Sequence, residues 1–348
     1  MTTHIDRIPS QEHFDSRDYR ERLQREAEEI LFHPSLAHLL TVAAEEHNIS
    51  EASIEALANT PDTYTYALTV AKLAKTILDR REGSGIERHQ LRDDDLSSRM
   101  RETIRRTVNE LHMTTETPVP SGSFEIAAVL GATVAPIAKR TDYLYDALEA
   151  GTANTSILIG LGAERRLLDV DTKYAHLYPY VSAAEVETEL LAHAAQDWFT
   201  KNGYTAPVID RSAPIETFTK DATLGSSHRI QTVTFEDEQS RPGWAPGMII
   251  NLSAPFQKTH HPRANTGETV RFLLALADLA PGDRLLFVSS QPYLLGQKFE
   301  IQRLCLEAGV EVEVAGYGID SARLSASALG DEIAKATAKA AALYTALR

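Results

Sequence analysis

Apolar residues recur at three- and four-residue spacing through most of the first 113 positions, and this period predicts helices over residues 18–32, 34–47, 50–58, 61–82 and 96–113. Pro34 and Pro61 suit first-turn positions, and Gly83, Ser84 and Gly85 mark a break. After residue 113 the rhythm changes. Residues 114–123 carry Pro118, Pro120 and Gly122, a composition that favours extended backbone and predicts a linker. Beyond it, short apolar runs at 124–130, 156–160, 248–252, 284–288 and 310–315 alternate with helical patterns at 135–150, 183–200, 265–279, 293–308 and 331–347. Alternation of this kind predicts an α/β fold, a Rossmann-like mostly parallel sheet with flanking helices over 124–348. The expected organisation is therefore a loosely ordered stretch at 1–16, a helical section at 17–113, the linker, and the sheet domain. Residues 208–209 and 230–235 read as short strands without an assigned place, and the alanine-rich helix at 331–347 is expected to lie on the sheet.

In open α/β sheets, ligands sit outside the carboxyl ends of the strands, facing helix N-termini. Four segments fall there: Gly131, Ala132 and Thr133 after the first strand; Gly160 and Gly162 at the end of the second; Asn265, Thr266 and Glu268 before a helix; and Ser289, Ser290 and Gln291 after another strand. Each combines small residues, which let a ligand approach the backbone, with hydroxyl or amide groups that hydrogen-bond it. Arg140, about two turns into the following helix, is a forked donor suited to a phosphate or carboxylate. Asn265 and Glu268 also have the spacing of a capping box, and helix initiation accounts for them equally well. The glycines do not have the spaced triple pattern of a dinucleotide fingerprint.

Composition narrows the function. The 348 residues are 43% hydrophobic and 24% charged, ordinary for a soluble globular protein. Residues 1–118 hold 15 basic against 22 acidic side chains and 119–348 hold 20 against 27, so each section carries −7 of the total −14. That balance argues against a nucleic-acid partner. The N-terminal residues lack the basic-then-apolar pattern of a signal peptide, and no apolar run reaches the ~20 residues of a membrane helix. The expectation is a cytoplasmic protein with a small-molecule ligand, no membrane partner, and an oligomeric state left open. Cys305, the sole cysteine, fits core packing better than catalysis.

The order of motifs resembles a bacterial domain family, the YdcF, SanA and ElyC type, over about residues 124–318. The matching positions are Val129, Leu130 and Gly131; Arg140; Gly160 or Gly162; Glu185 or Glu187; Asn265, Thr266 and Glu268; and Ser289 with Ser290. Arg263 and Thr269 stand where the family has serine and a second asparagine, and Tyr293 and Gln297 where it has a histidine and an arginine. The resemblance implies a Rossmann-like domain and, from one branch, S-adenosylmethionine as a cofactor. It adds Glu185 and Tyr293 to the expected ligand-binding set.

Two other groups enter as alternatives. Asp169 and Asp171 have the spacing of paired aspartates that hold a divalent metal in some transferases, and an exposed acidic turn explains them as well. Lys258, His260, His261 and Arg263 form a basic loop suited to closing over an anion. The sequence thus points to binding of a small anionic or nucleotide-like ligand, with a transferase as its catalytic form. Its rivals are a non-catalytic sensor and a metal-dependent sugar or phosphate transferase using Asp169 and Asp171.

Overall fold

The computed structural model describes residues 16–47, 60, 62–79, 91–163, 165–210, 230–236, 241–254 and 265–348. The helix expected at 50–58 and the basic loop at 258–263 lie outside them. The elements run α1 (Ser16–Leu31), α2 (Pro34–Glu46), α3 (Thr63–Leu78), α4 (Ser98–Glu110), β1 (Gly122–Leu130), α5 (Val134–Glu149), β2 (Ala153–Ala163), α6 (Glu187–Lys201), β3 (Val208–Asp210), β4 (Ile230–Thr234), β5 (Met248–Ala254), α7 (Thr266–Leu276), β6 (Arg284–Ser290), α8 (Leu294–Ala308), β7 (Glu311–Tyr317) and α9 (Ala326–Ala346). Among the described residues no helix is long and apolar enough to cross a membrane.

The chain divides into two compact units. The helical unit takes residues 15–116, 291–303 and 318–348. Its helices begin where side chains satisfy the free N–H groups: Asp62 Oδ1 accepts from Tyr64 N and Thr65 N, both at 2.9 Å, and Ser97 Oγ accepts from Met100 N at 3.0 Å. The final helix departs from the sequence expectation. It packs against α3, α1 and α4 rather than on the sheet. Fifteen of its 21 residues are buried, because small alanines surround the helix on nearly every side and let neighbouring helices approach all round. Asp93, from the segment before α4, caps it by accepting from Ala326 N and Ser327 N at 3.0 and 2.9 Å.

The sheet unit takes residues 117–290 and 304–317 among those described. Its strand order is β3-β4-β5-β2-β1-β6-β7, parallel throughout except for β4, which runs against both its neighbours. The two short strands without an assigned place thus form the edge beyond β5. Alternate positions Ala127, Val129, Leu158, Ile249, Val233, Leu286 and Val288 bury one face under α5 and α6, where Ile137, Leu144, Tyr145, Leu190, Trp198 and Phe199 meet them. Trp198 anchors an aromatic group with Tyr145, Phe199 and Trp244, ring centroids 5.2–5.5 Å from it. Burying side chains of this size supplies much of the apolar stabilisation of the unit.

Candidate functional site

Strand order reverses at β1: the chain moves from β1 to β2 on one side and later to β6 on the other. The carboxyl ends of β1 and β6 therefore flank the crevice where ligands of such sheets bind. Arg140 spans it. Its Nη1 donates to the carbonyls of Leu130 and Gly131 at 2.8 and 2.9 Å, and its Nε and Nη2 donate to Ser290 Oγ at 3.2 and 2.8 Å. The side chain is 1% exposed. Arg140 thus ties two strand ends together, which fixes the crevice and commits at least three of its N–H donors to the protein.

A second cluster closes the β1–β2 side. Arg165, directly after β2, donates from Nε to Glu187 Oε2 at 2.7 Å, from Nη1 to Asp171 Oδ2 at 3.3 Å, and from Nη2 to the Ala132 carbonyl at 3.0 Å. Asp171 is fully buried. Its Oδ1 accepts from Val134 N at 2.7 Å and its Oδ2 from Leu168 N at 2.8 Å. Thr133, the N-cap of α5, makes no side-chain capping bond, so Asp171 caps that helix from 37 residues away. Burial works against the Arg165 charge, but the Glu187 and Asp171 carboxylates outweigh it and raise the guanidinium above its ordinary pKa.

The glycines follow from the same geometry. A Cβ at Gly131 would overlap Glu187 Oε1 and lie 3.0 Å from Gly162 Cα, and a Cβ at Gly160 would overlap Asn251 Oδ1. Both positions are glycine because a side chain of another element occupies the space. Asn251 sits opposite Gly160 in β2 and opposite Gln231 in β4, so all three share one cross-sheet row. Asn251 Nδ2 and Gln231 Oε1 are buried without a hydrogen-bond partner. Glu189, beside them, accepts from Glu185 N at 2.5 Å and Val186 N at 3.3 Å, capping α6.

The structure therefore brings Gly131, Ala132, Thr133, Arg140, Gly162, Ser289 and Ser290 to one sheet edge and leaves others aside. Glu185 is exposed, and Glu187, two residues on, holds the position at Gly131. Asn265 and Glu268 form a capping box, with Glu268 N donating to Asn265 Oδ1 at 3.1 Å and Asn265 N to Glu268 Oε2 at 2.7 Å; Thr266 opens the same helix. Gln291 and Tyr293 belong to the helical unit, where Gln291 Nε2 donates to the carbonyls of Thr115 and His112 at 2.8 and 3.3 Å. Asp169 is exposed, while both Asp171 oxygens accept from backbone N–H groups and Arg165, so the pair does not form a chelate. Among the described residues no group of His, Cys, Asp and Glu side chains is placed to hold a metal ion.

Arg165 and Asn251 carry the edge without being among the candidates read from sequence, where Glu187 stands only as the alternative to Glu185. A basic residue two places after a glycine-bearing strand is the available signal for Arg165. For Glu187 there was only a choice between alternating glutamates, and Asn251 lay inside a run that read as apolar.

Neither a family model, nor a curated protein, nor a solved structure compared with this chain matches it.

Proposed function

We propose that the sheet unit binds a small ligand of the nucleoside class, S-adenosylmethionine foremost, at the carboxyl edge between β1 and β6, and that a group-transfer enzyme is built on that site. One observation carries the choice of ligand: helix N-termini at the edge are already filled by the protein's own carboxylates, Asp171 on α5 and Glu189 on α6. A phosphate bound at either place would have to displace a buried acid and meet the field of Glu187. S-adenosylmethionine matches both signs of charge there: its sulfonium is attracted to Glu187 on the β1–β2 side, its carboxylate to the Arg140 guanidinium that spans the crevice, and its hydroxyls hydrogen-bond readily. The resemblance to the YdcF type agrees with this reading, and the proposed location is the cytoplasm. Catalysis would rest on positioning and on electrostatics from Glu187, which Arg165 holds against Gly131.

The second reading is a non-catalytic sensor of the same ligand. It is favoured by the engagement of Arg140, Arg165 and Asp171 with backbone groups, which makes them positioning residues.

A thermal-shift panel tests the proposal. S-adenosylmethionine at 100 times its dissociation constant adds about 2.7 kcal/mol and raises the melting temperature by several degrees without added metal. S-adenosylhomocysteine binds more weakly because it lacks the charge, and ATP gives no shift. A larger shift with ATP, or none with either adenosyl compound, refutes the charge argument. Turnover of bound S-adenosylmethionine separates the enzyme from the sensor.

A further inference from the structure

A ligand with an amino-acid tail brings a carboxylate to the edge, and Arg140 has few hydrogen atoms left to bond it. Both N–H groups of Nη1 go to the Leu130 and Gly131 carbonyls, and Nε and Nη2 each donate to Ser290 Oγ. The guanidinium is also buried. Its field draws an anion towards the crevice, while direct bonds to that anion have to come from another donor.

The β6–β7 side of the same edge supplies one. Ser290 and Tyr317 are register partners in the parallel β6–β7 pair, so their side chains rise on the same face of the sheet. That face is the one α5 covers, since Ser290 Oγ meets Arg140 there. Lys139, the residue before Arg140 on α5, places its Nζ over the Tyr317 ring, 5.8 Å from the centroid. Both residues belong to the sheet unit. Lys139 is exposed and Tyr317 half-buried. Among the described residues no carboxylate pairs with Lys139. An exposed lysine ordinarily samples many rotamers in water, but the negative face of a tyrosine ring restrains this one at the carboxyl end of β7. An ammonium held there keeps its N–H donors for an anion, which the committed guanidinium of Arg140 does not.

We propose that Lys139 anchors the carboxylate of the bound ligand and that Tyr317 positions Lys139 for it, so that the edge selects nucleosides carrying an α-amino-acid tail. The assignment rests on the adenosyl ligand proposed above and fixes its direction. With the sulfonium towards Glu187 at Gly131 and the carboxylate on Lys139, the two charges of the ligand lie on opposite sides of β1, each against its opposite.

Isothermal titration calorimetry of the full chain tests the anchor with S-adenosylmethionine, S-adenosylhomocysteine and methylthioadenosine, which keeps the nucleoside and thioether but has no amino-acid tail. Lys139→Gln is expected to weaken both tailed compounds about tenfold and to leave methylthioadenosine unchanged. Lys139→Arg restores most of the affinity, because a cation returns to the same place. Tyr317→Leu weakens the tailed compounds by a smaller factor, whereas Tyr317→Phe keeps the ring and the affinity. Lys173→Gln, an equal charge change at an exposed lysine elsewhere, is without effect. The exposure of Lys139 means that its replacement leaves the fold intact. Wild-type binding of S-adenosylmethionine that Lys139→Gln leaves unchanged, or an equal loss for methylthioadenosine, overturns the anchor alone. No binding of any adenosyl compound by the wild type refutes the ligand proposed for the site, and the anchor falls with it.

Discussion

The two units bury charge in opposite ways. In the helical unit the buried acids are paired with flexible lysines on the same or a neighbouring helix: Lys335 reaches Asp331 at 2.6 Å and Glu332 at 3.4 Å, one turn away, and Lys339 reaches Glu300 at 2.9 Å. In the sheet unit, Arg140, Arg165 and Asp171 bond to main-chain groups of strand ends and helix starts, those of Arg165 and Asp171 lying 33 and 37 residues away in sequence. Except around the start of α9, where Asp93 and Arg105 bond to main-chain groups, the first arrangement neutralises charge between side chains. The second uses charge to hold backbone in place, which is why the ligand edge is preorganised and why its charges are costly to disturb.

The largest effect that separates the two belongs to Arg165→Ala. It leaves Glu187 and Asp171 buried without their cation, which should cost about 3–5 kcal/mol in urea denaturation. Lys339→Ala, which removes a partly exposed lysine from Glu300, should cost below about 1 kcal/mol. Similar losses in both variants would dissolve the comparison. Next comes Gly131→Ala, whose Cβ displaces Glu187. About 1–3 kcal/mol is the cost of such overpacking, and S-adenosylmethionine binding should be lost with it. Retained binding would detach the ligand from this edge.

How much of this was legible beforehand follows from the same contrast. Periodicity exposed the alternation of strands and helices, because each element must bury a face whatever its neighbours are. The strand-end glycines and Arg140 were visible because their positions relative to β1 and β2 are local. The cluster of Arg165, Asp171 and Glu187 was not, since it depends on a loop returning across a strand end to cap α5, and nothing in residues 165–187 encodes where that helix starts. For Asn265 and Glu268 the opposite held: their spacing announced a capping box, and a capping box is what they form. The destination of α9 was misread because its alanine-rich surface has no single apolar stripe to point at one partner.

A smaller effect, of the opposite sign, is expected in the helical unit. Gly330 lies within α9, and an added Cβ there would come no nearer than 3.4 Å to Ile104 Cδ1, an ordinary contact. Gly330→Ala should therefore stabilise the unit by about 0.5–1 kcal/mol through helix propensity. Destabilisation instead would mean that α9 packs against α4 as tightly as the sheet edge packs around Gly131.

The smallest expected effect lies on the outer face of the sheet unit, where charge neither pairs fully nor holds backbone. The folded state raises the Asp142 pKa, chiefly through burial and then through Asp146 and Asp197. Between the unfolded and folded values the native protein binds more protons than the unfolded chain, so this residue's contribution to stability falls as pH rises through that window. The penalty is complete once pH has passed the folded value. Asp142→Asn should raise the melting temperature at pH 7, and the two proteins should converge as pH drops towards the ordinary aspartate value of about 3.9. An offset that stays constant with pH would remove Asp142 as its source. A lower melting temperature for the variant at neutral pH would show that the carboxylate is already well paired, and would place this face with the helical unit's manner of handling charge.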